Sequence, residues 1–477
     1  MRSLRLAALL VLLLAVRAVA QAPQPFALRP ALRDSFVAVS APVVALNHVR
    51  VVDGTGAPPA DDQTIVIANG KIQAVGRFGS TPVPAGAQVM DLTGHTVIPG
   101  LVGLHDHSYY GAAGWLSAFS PIVAPRLYLA TGVTTTRTTG SRAPYEELNL
   151  SKAVERGGSI GSRMYITGPY ITGGPGSTGM MVQVDTPEEA RRVVRYWSEE
   201  GVTWFKAYNQ ISRAALGAAI DEAHKHGVKV TAHLCSVGYR EAVALGIDGL
   251  EHGLMANYEY YPGKQPDQCP TNPPMDWTTV DVNSQQVQAT FKDMVSHNVA
   301  MTSTLAVYEC FVPNRPPLDQ RILDAMFPGV RAGYLTSRVR IGEGTGSISA
   351  PAFRRAMDYE VAFVKAGGLL AAGVDPTGNG GAPPGFGDQR NYELLVEAGF
   401  PPVQAVQIMS ANGAKVLGAY DRFGSVTAGK LADLVVIKGD PVARPAEIRN
   451  VTIVFKEGLG YDSQKLIQSV NGLMGVR

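Results

Sequence analysis

Val97-Ile98-Pro99-Gly100-Leu101-Val102-Gly103-Leu104-His105-Asp106-His107 is an apolar run that ends on two histidines flanking an aspartate. Its first eight residues read as one buried strand, because they form a short, nearly unbroken apolar stretch. Along a strand, residues i and i+2 point the same way, so His105 and His107 can grip one ion while Asp106 points elsewhere. Four more short apolar runs end on residues that can bind a metal: 202–205 before Lys206, 228–232 before His233, 247–250 before Glu251-His252, and 368–374 before Asp375. Helical stretches are readable between such runs at 186–200, 212–226 and 350–366, the first opened by Thr186 or Asp185 as cap and Pro187 in the first turn. Strand and helix in alternation predict an α/β chain folded as a (β/α)8 barrel of the TIM type. Its active site belongs at the C-terminal ends of the strands.

The residue types fix the chemistry. Neutral imidazoles and carboxylates suit a divalent ion such as zinc, and three or four protein ligands with an open position make a site catalytic rather than structural. His224 and His226 form a second His-x-His, but on a helix these two side chains diverge, and the segment reads as a solvated helix end. His48, His95 and His297 have no partner at ligand spacing and read as structural or surface residues.

The order H-D-H after I-P-G-L-V-G-L, K in G-V-T-W-F-K-A-Y, H in V-T-A-H, H in L-E-H-G and D in A-A-G-V-D-P resembles the binuclear amidohydrolase superfamily, which has imidazolonepropionase-like and prolidase-like members. The later stretches S-A-N-G-A-K-V-L-G and G-S-V-T-A-G-K-L-A-D-L-V-V-I-K-G-D-P extend the resemblance from residue 41 to about 461. The resemblance implies that His105, His107 and Asp375 hold one divalent ion and that His233 and His252 hold the other. Zinc is the expected metal. Lys206 is implied as the bridge, as a carbamate made with carbon dioxide, since an ammonium cannot ligate a cation and a carbamate presents two anionic oxygens. The two ions would share a hydroxide whose pKa is lowered toward neutrality. Asp375 would take its proton and pass it to the leaving nitrogen. Tyr208, two residues past Lys206 on the same side of the strand, is implied as a donor to the oxyanion.

One position departs from the resemblance. Related dipeptidases often carry a substrate-binding His in an I-T-G-G-H-G stretch, and here that run is Ile171-Thr172-Gly173-Gly174-Pro175-Gly176. Proline can neither donate a hydrogen bond nor hold charge at its ring. Arg137 and Arg142, read as lying in the loop after the second strand, are candidate replacements, since the guanidinium presents a bidentate fork to a carboxylate.

With 477 residues and 45% apolar composition the chain can bury a barrel and a second small domain. The net charge of +2, with no basic run, gives no sign of a nucleic-acid partner. Arg2 and Arg5 precede an apolar run at 6–16, and Ala18-Val19-Ala20 offers small residues for cleavage, so residues 1–20 read as a secretory signal and the protein as periplasmic or secreted. No later stretch reaches the length of a membrane span, and no Cys lies near the cleavage point to carry a lipid anchor. The expected organisation is then a lead-in at 21–40, a β-sandwich from 41–95 and 418–461, the barrel at 96–417, and a tail at 462–477. Asn69-Gly70 marks a hairpin within the sandwich.

In an oxidising compartment, Cys269 and Cys310 are candidates for a disulfide between the two Pro-rich loops after the sixth and seventh strands. Cys235, two residues past His233, lies within reach of the site as a soft ligand. Insertions at 255–279 and 307–346 should act as lids or pocket walls, the first with Tyr258, Tyr260 and Tyr261 available for stacking. The expected function is hydrolysis of a C-N bond in a small amide, peptide-like or cyclic amide substrate, with a homo-oligomer compatible with the sequence. A mononuclear deaminase or ring hydrolase of the imidazolonepropionase type is the nearest alternative, and Lys206 argues against it. A silent barrel scaffold is the other, and the intact ligand set argues against that.

Overall fold

The structure is a computed structural model and describes residues 28–111, 117–174, 181–270, 272–377 and 381–475. Residues 1–20, read as a signal, and Pro175 lie outside the described residues. Eight strands build the centre: β1 (Leu101–Asp106), β2 (Val133–Thr138), β3 (Arg163–Thr172), β4 (Trp204–Ala207), β5 (Lys229–Ala232), β6 (Gly249–Glu251), β7 (Ala300–Ser303) and β8 (Leu370–Ala372). Each pairs in parallel with the next, in sequence order, as a TIM-type barrel requires. The register sets Tyr170 of β3 beside Lys206 of β4, and Lys206 beside Thr231 of β5. The ring closes where the Asp375 N–H, just past β8, donates to the His105 carbonyl of β1 at 2.7 Å. A Cβ at Gly373 would lie 2.2 Å from the His105 nitrogen, so only glycine lets the two chains approach this closely.

The helices begin where their caps predict. Thr186 and Glu189 form a reciprocal capping box at the start of Pro187–Glu199, Ser212 caps Arg213–Lys225, and Ser349 caps Ala350–Lys365. Each satisfies backbone donors that a helix start otherwise leaves without partners.

The opening run is not one strand. His95–Pro99 pairs antiparallel with Leu434–Lys438 in a separate sheet, and the barrel begins only at Leu101. Gly100 is the switch: its N–H donates to the Asp433 carbonyl at 2.8 Å, and a Cβ there would sit 2.1 Å from Thr134 Oγ1. Both halves are buried, so hydrophobicity runs on across the change of sheet.

That second sheet has nine strands drawn from both chain ends and encloses its own core of Val44, Leu46, Ile65, Val97, Leu434 and Phe455. Asn69 and Gly70 connect Ala60–Ala68 to Lys71–Arg77 with φ of 52° and 75°, the doubly left-handed turn that suits a two-residue hairpin. Val37–Val39, within the stretch read as a lead-in, pairs with Leu459–Asp462. The stretch read as a tail contains the helix Ser463–Gln468, tied to the barrel by Ser463 Oγ donating to the Ala130 carbonyl at 2.6 Å.

The cysteine pairing differs from the expectation. Cys235 and Cys269 form the disulfide, with Cα atoms 4.9 Å apart, and Cys310 is a buried free thiol whose Sγ donates to the Ala306 carbonyl at 3.3 Å. Cys310 lies on the turn Leu305–Glu309 and its continuation, packed into the main core, whereas the insertion after β6 folds back over the β5 loop. The Cys235 sulfur, spent in this bond, cannot serve as a metal ligand. Within that insertion Tyr260 donates to Thr290 on the helix Gln285–Ser296, and Tyr261 to the Pro273 carbonyl, so both hydroxyls are used in packing the loop down.

Candidate metal centre at the C-terminal rim

The strand ends bring the predicted ligands together. His105, His107 and Asp375 each offer a ligand atom, and these atoms lie within 4.8 Å of one another. His107 Nε2 is 3.1 Å and His105 Nε2 3.6 Å from Asp375 Oδ1. The His105 ring lies 5.4 Å from that of His107 and 4.4 Å from that of His252, and His233 stands 4.4 Å beyond His252, so the four imidazoles form one arc. Lys206 Nζ reaches His105 Nε2 at 3.0 Å from the base of this arc. Two of the residues read as ligands, His252 (φ 70°) and Asp375 (φ 53°), hold left-handed backbone conformations, which cost non-glycine residues roughly 1–3 kcal/mol and cluster at functional sites.

Burial and charge set the protonation states. Burial lowers the Lys206 amine to about 8, against the pull of Glu251 and Asp375. Burial pushes the Asp375 carboxyl up, but His105, the hydrogen bond from His107 and Lys206 outweigh it and hold the group well below the carboxylate range. Burial lowers His107 to about 4 and His233 to about 3, so the imidazoles are neutral and able to ligate. Among the described residues, buried His107 Nδ1 and His252 Nε2 have no hydrogen-bond partner. Four neutral imidazoles, an aspartate and a buried lysine converging with unspent nitrogens fit a divalent metal centre.

The supporting residues were mostly missed in the sequence. Glu251 is fully buried beneath the site, with Oε2 2.8 Å from His105 Nδ1, and accepts from Arg137 Nη2 at 2.6 Å and from Thr231 Oγ1. Burial raises this carboxyl, yet Arg137 and His105 hold it well below the usual range. A carboxylate on the far nitrogen orients a ligating imidazole and strengthens it as a ligand. Thr304 fixes the orientation of His252, with Oγ1 2.7 Å from Nδ1. The only sequence signal for Glu251 was its position beside His252.

Arg137 therefore changes role. It lies on β2 and not in a loop, is 1% exposed, stacks 4.4 Å over Trp204 and spends its guanidinium on Glu251 and the Leu104 carbonyl. No substrate carboxylate can reach it. Arg142 is partly buried at the rim, 4.4 Å over the ring of Tyr109, which stacks on His107 at 4.6 Å. Tyr208 packs 4.8 Å from His233, and burial pushes its phenol up to about 12, so it is a donor at any working pH. The remaining histidines bond elsewhere: His48 to Asp62, His224 to Asp248, His297 to the Asp293 carbonyl and His95 to the Thr93 carbonyl. His226 ends the helix 3.8 Å from Glu222.

This fold and site define a metal-dependent barrel hydrolase. Residues 96–459 match the amidohydrolase family, and the chain belongs to it, which makes it a hydrolase of carbon-nitrogen bonds. Among solved structures, the chain is similar to a putative prolidase from Bifidobacterium longum, at 25% identity over 90% of this chain and 98% of that one, with a TM-score of 0.66. A Xaa-Pro dipeptidase with bound methionine matches at 20% identity over 88% and 100% of the two chains, and a bottromycin amidohydrolase at 19% over 90% and 91%, each with a TM-score of 0.66. No curated protein matches the chain.

Proposed function

We propose that this chain is a secreted or periplasmic binuclear amidohydrolase that cleaves a small amide, peptide-like or cyclic amide substrate. His105, His107 and Asp375 would hold one divalent ion, His233 and His252 the other, with zinc the expected metal and Lys206, as a carbamate, the bridge. The observation that carries the reading is Lys206: a fully buried amine, lowered to about 8, set 3.0 Å from a ligand histidine. A carbamate forms from the neutral amine, and burial shifts Lys206 toward that form. When bound, the ions supply a nucleophile that exists at neutral pH and polarise the scissile carbonyl.

The chain's own groups supply the rest. Asp375, ionised at working pH, accepts a proton at its carboxylate and delivers it to the leaving nitrogen. Tyr208 donates from its phenol to the oxygen on which negative charge develops. Arg142, on the ring of Tyr109, is placed to meet a carboxylate on the substrate, and the dipeptide substrates named for similar structures carry such a group. The disulfide between Cys235 and Cys269 supports maturation in an oxidising compartment.

The test is Lys206→Ala. The variant should lose most metal and nearly all turnover on a panel of N-acyl amino acids, dipeptides and lactams, with partial recovery when a short carboxylic acid and excess metal are supplied. Full occupancy by two ions per chain in the alanine variant would remove the carbamate bridge.

A further inference from the structure

Tyrosines surround the imidazole arc, and their hydroxyls divide into two kinds. Tyr109 and Tyr170 are used on each other at 2.8 Å, and Tyr170 also reaches His107 Nε2 at 3.3 Å. Tyr208 and Tyr308 are different: among the described residues neither hydroxyl makes a hydrogen bond, and both side chains are half-buried. Each packs against one histidine of the same pair, Tyr208 on His233 with ring centres 4.8 Å apart and Tyr308 edge-on to His252 at 5.6 Å. Both lie within electrostatic reach of Asp375, and Tyr308 within reach of Tyr208. Tyr308 arrives from the opposite side, on the helical turn Leu305–Glu309 after β7, whereas Tyr208 follows β4. The turn is anchored at its start by Thr304, whose Oγ1 bonds His252 Nδ1, so the position of Tyr308 is tied to a ligand.

We propose that Tyr308 is a substrate-contacting residue that donates a hydrogen bond to the oxygen of the scissile amide, opposite Tyr208, so that the two phenols grip the developing oxyanion from both sides of the His233–His252 pair. This rests on the function proposed above. Neither hydroxyl is sealed from water, so a ligand oxygen entering the pocket can accept from both phenols in place of solvent. The proton stays on the phenol throughout, so the contribution is electrostatic and grows as charge develops on the oxygen.

The test compares Tyr308→Phe, Tyr208→Phe and the double variant in zinc-loaded protein, by calorimetric binding of a methylphosphonyl amino acid, whose tetrahedral phosphorus stands in for the reacting carbon. Turnover of the best amide in the panel is measured in parallel. Tyr308→Phe should weaken phosphonate binding about 10- to 100-fold, the range of a hydrogen bond to a charged oxygen. It should lower kcat by a similar factor with KM nearly unchanged, and leave the metal count and Tm as in the parent. The double variant should lose less than the product of the two single losses, because both donors serve one oxygen. Tyr308→Met, which fills the space without a hydroxyl, gives the same readings if the phenylalanine variant folds poorly. Unchanged phosphonate affinity in Tyr308→Phe overturns the proposal, as does a loss that follows metal content or Tm, and so does a parent that binds no phosphonate. A parent that hydrolyses no amide yet shows the Tyr308 effect on binding would sink the proposed function and leave the two-phenol grip standing.

Discussion

Replacing Glu251 by Gln should be among the most damaging isosteric changes in this protein. Its carboxylate accepts from Arg137 at 2.6 Å and from Thr231, and meets His105 Nδ1 at 2.8 Å, with no exposure to water. Glutamine keeps the shape but supplies one acceptor oxygen and turns an NH2 toward either Arg137 or His105. At least one charge-assisted hydrogen bond is lost, worth about 1.5–3 kcal/mol, and the Arg137 cation is left buried without its counter-charge. Breaking a buried pair from one side costs roughly 3–5 kcal/mol in total. Urea unfolding of the metal-free protein, followed by tryptophan fluorescence, reads this, and Trp204, over which Arg137 stacks at 4.4 Å, is one of the reporting rings. The sign with pH follows from the depressed carboxyl: its contribution is complete above the unfolded value of about 4.3 and is lost as pH falls toward the lower folded value. The gap between parent and variant should therefore narrow below about pH 4. Zinc affinity should fall about 10- to 100-fold as His105 loses the group that orients it. A destabilisation under about 1 kcal/mol with zinc affinity intact would refute the claim that Glu251 holds Arg137 and His105 together.

Other outcomes follow from the same geometry. In the metal-free chain, His107 at about 4 and His233 at about 3 are neutral in the fold and protonate near 6.5 when unfolded. Stability should thus be lost as pH falls from about 6.5 toward 4, and a Tm that is flat over this range would count against buried neutral histidines. Cys235→Ser should destabilise the oxidised protein by about 3–4 kcal/mol on the loop-entropy model for a separation of 34 residues. Peptide mapping should find Cys310 alkylated only after unfolding, and a Cys269–Cys310 linkage would contradict the pairing. Asp375→Asn, reloaded with excess zinc, should hold substantial metal yet turn over about 10²- to 10⁴-fold more slowly. Recovery of near-parental turnover would remove Asp375 from proton transfer.

The sequence disclosed the barrel and the residues that gather at its rim because each of them closes a short apolar run, and the run and its terminal residue carry independent information. His105, His107 and Asp375 converge as the spacing requires, and Thr186, Ser212 and Ser349 mark true helix starts. What could not be read lies in relations across the barrel. Gly100 moves the chain from one sheet to another without any break in hydrophobicity. Arg137 looks like a loop residue until β2 is seen to carry it inward to Glu251, and a buried ion pair has no local sequence signature. The disulfide went to Cys235 because one insertion folds back over a neighbouring loop, a choice made by tertiary packing and not by cysteine spacing.

The count of metal ions per chain, taken together with turnover in the same sample, tests the central claim most directly. After purification with bicarbonate and zinc, the parent should carry two ions per chain, lose turnover on the amide panel when a chelator strips them, and regain it on reloading. One ion per chain at full activity, or undiminished turnover by the stripped protein, would contradict a centre built from His105, His107, Lys206, His233, His252 and Asp375.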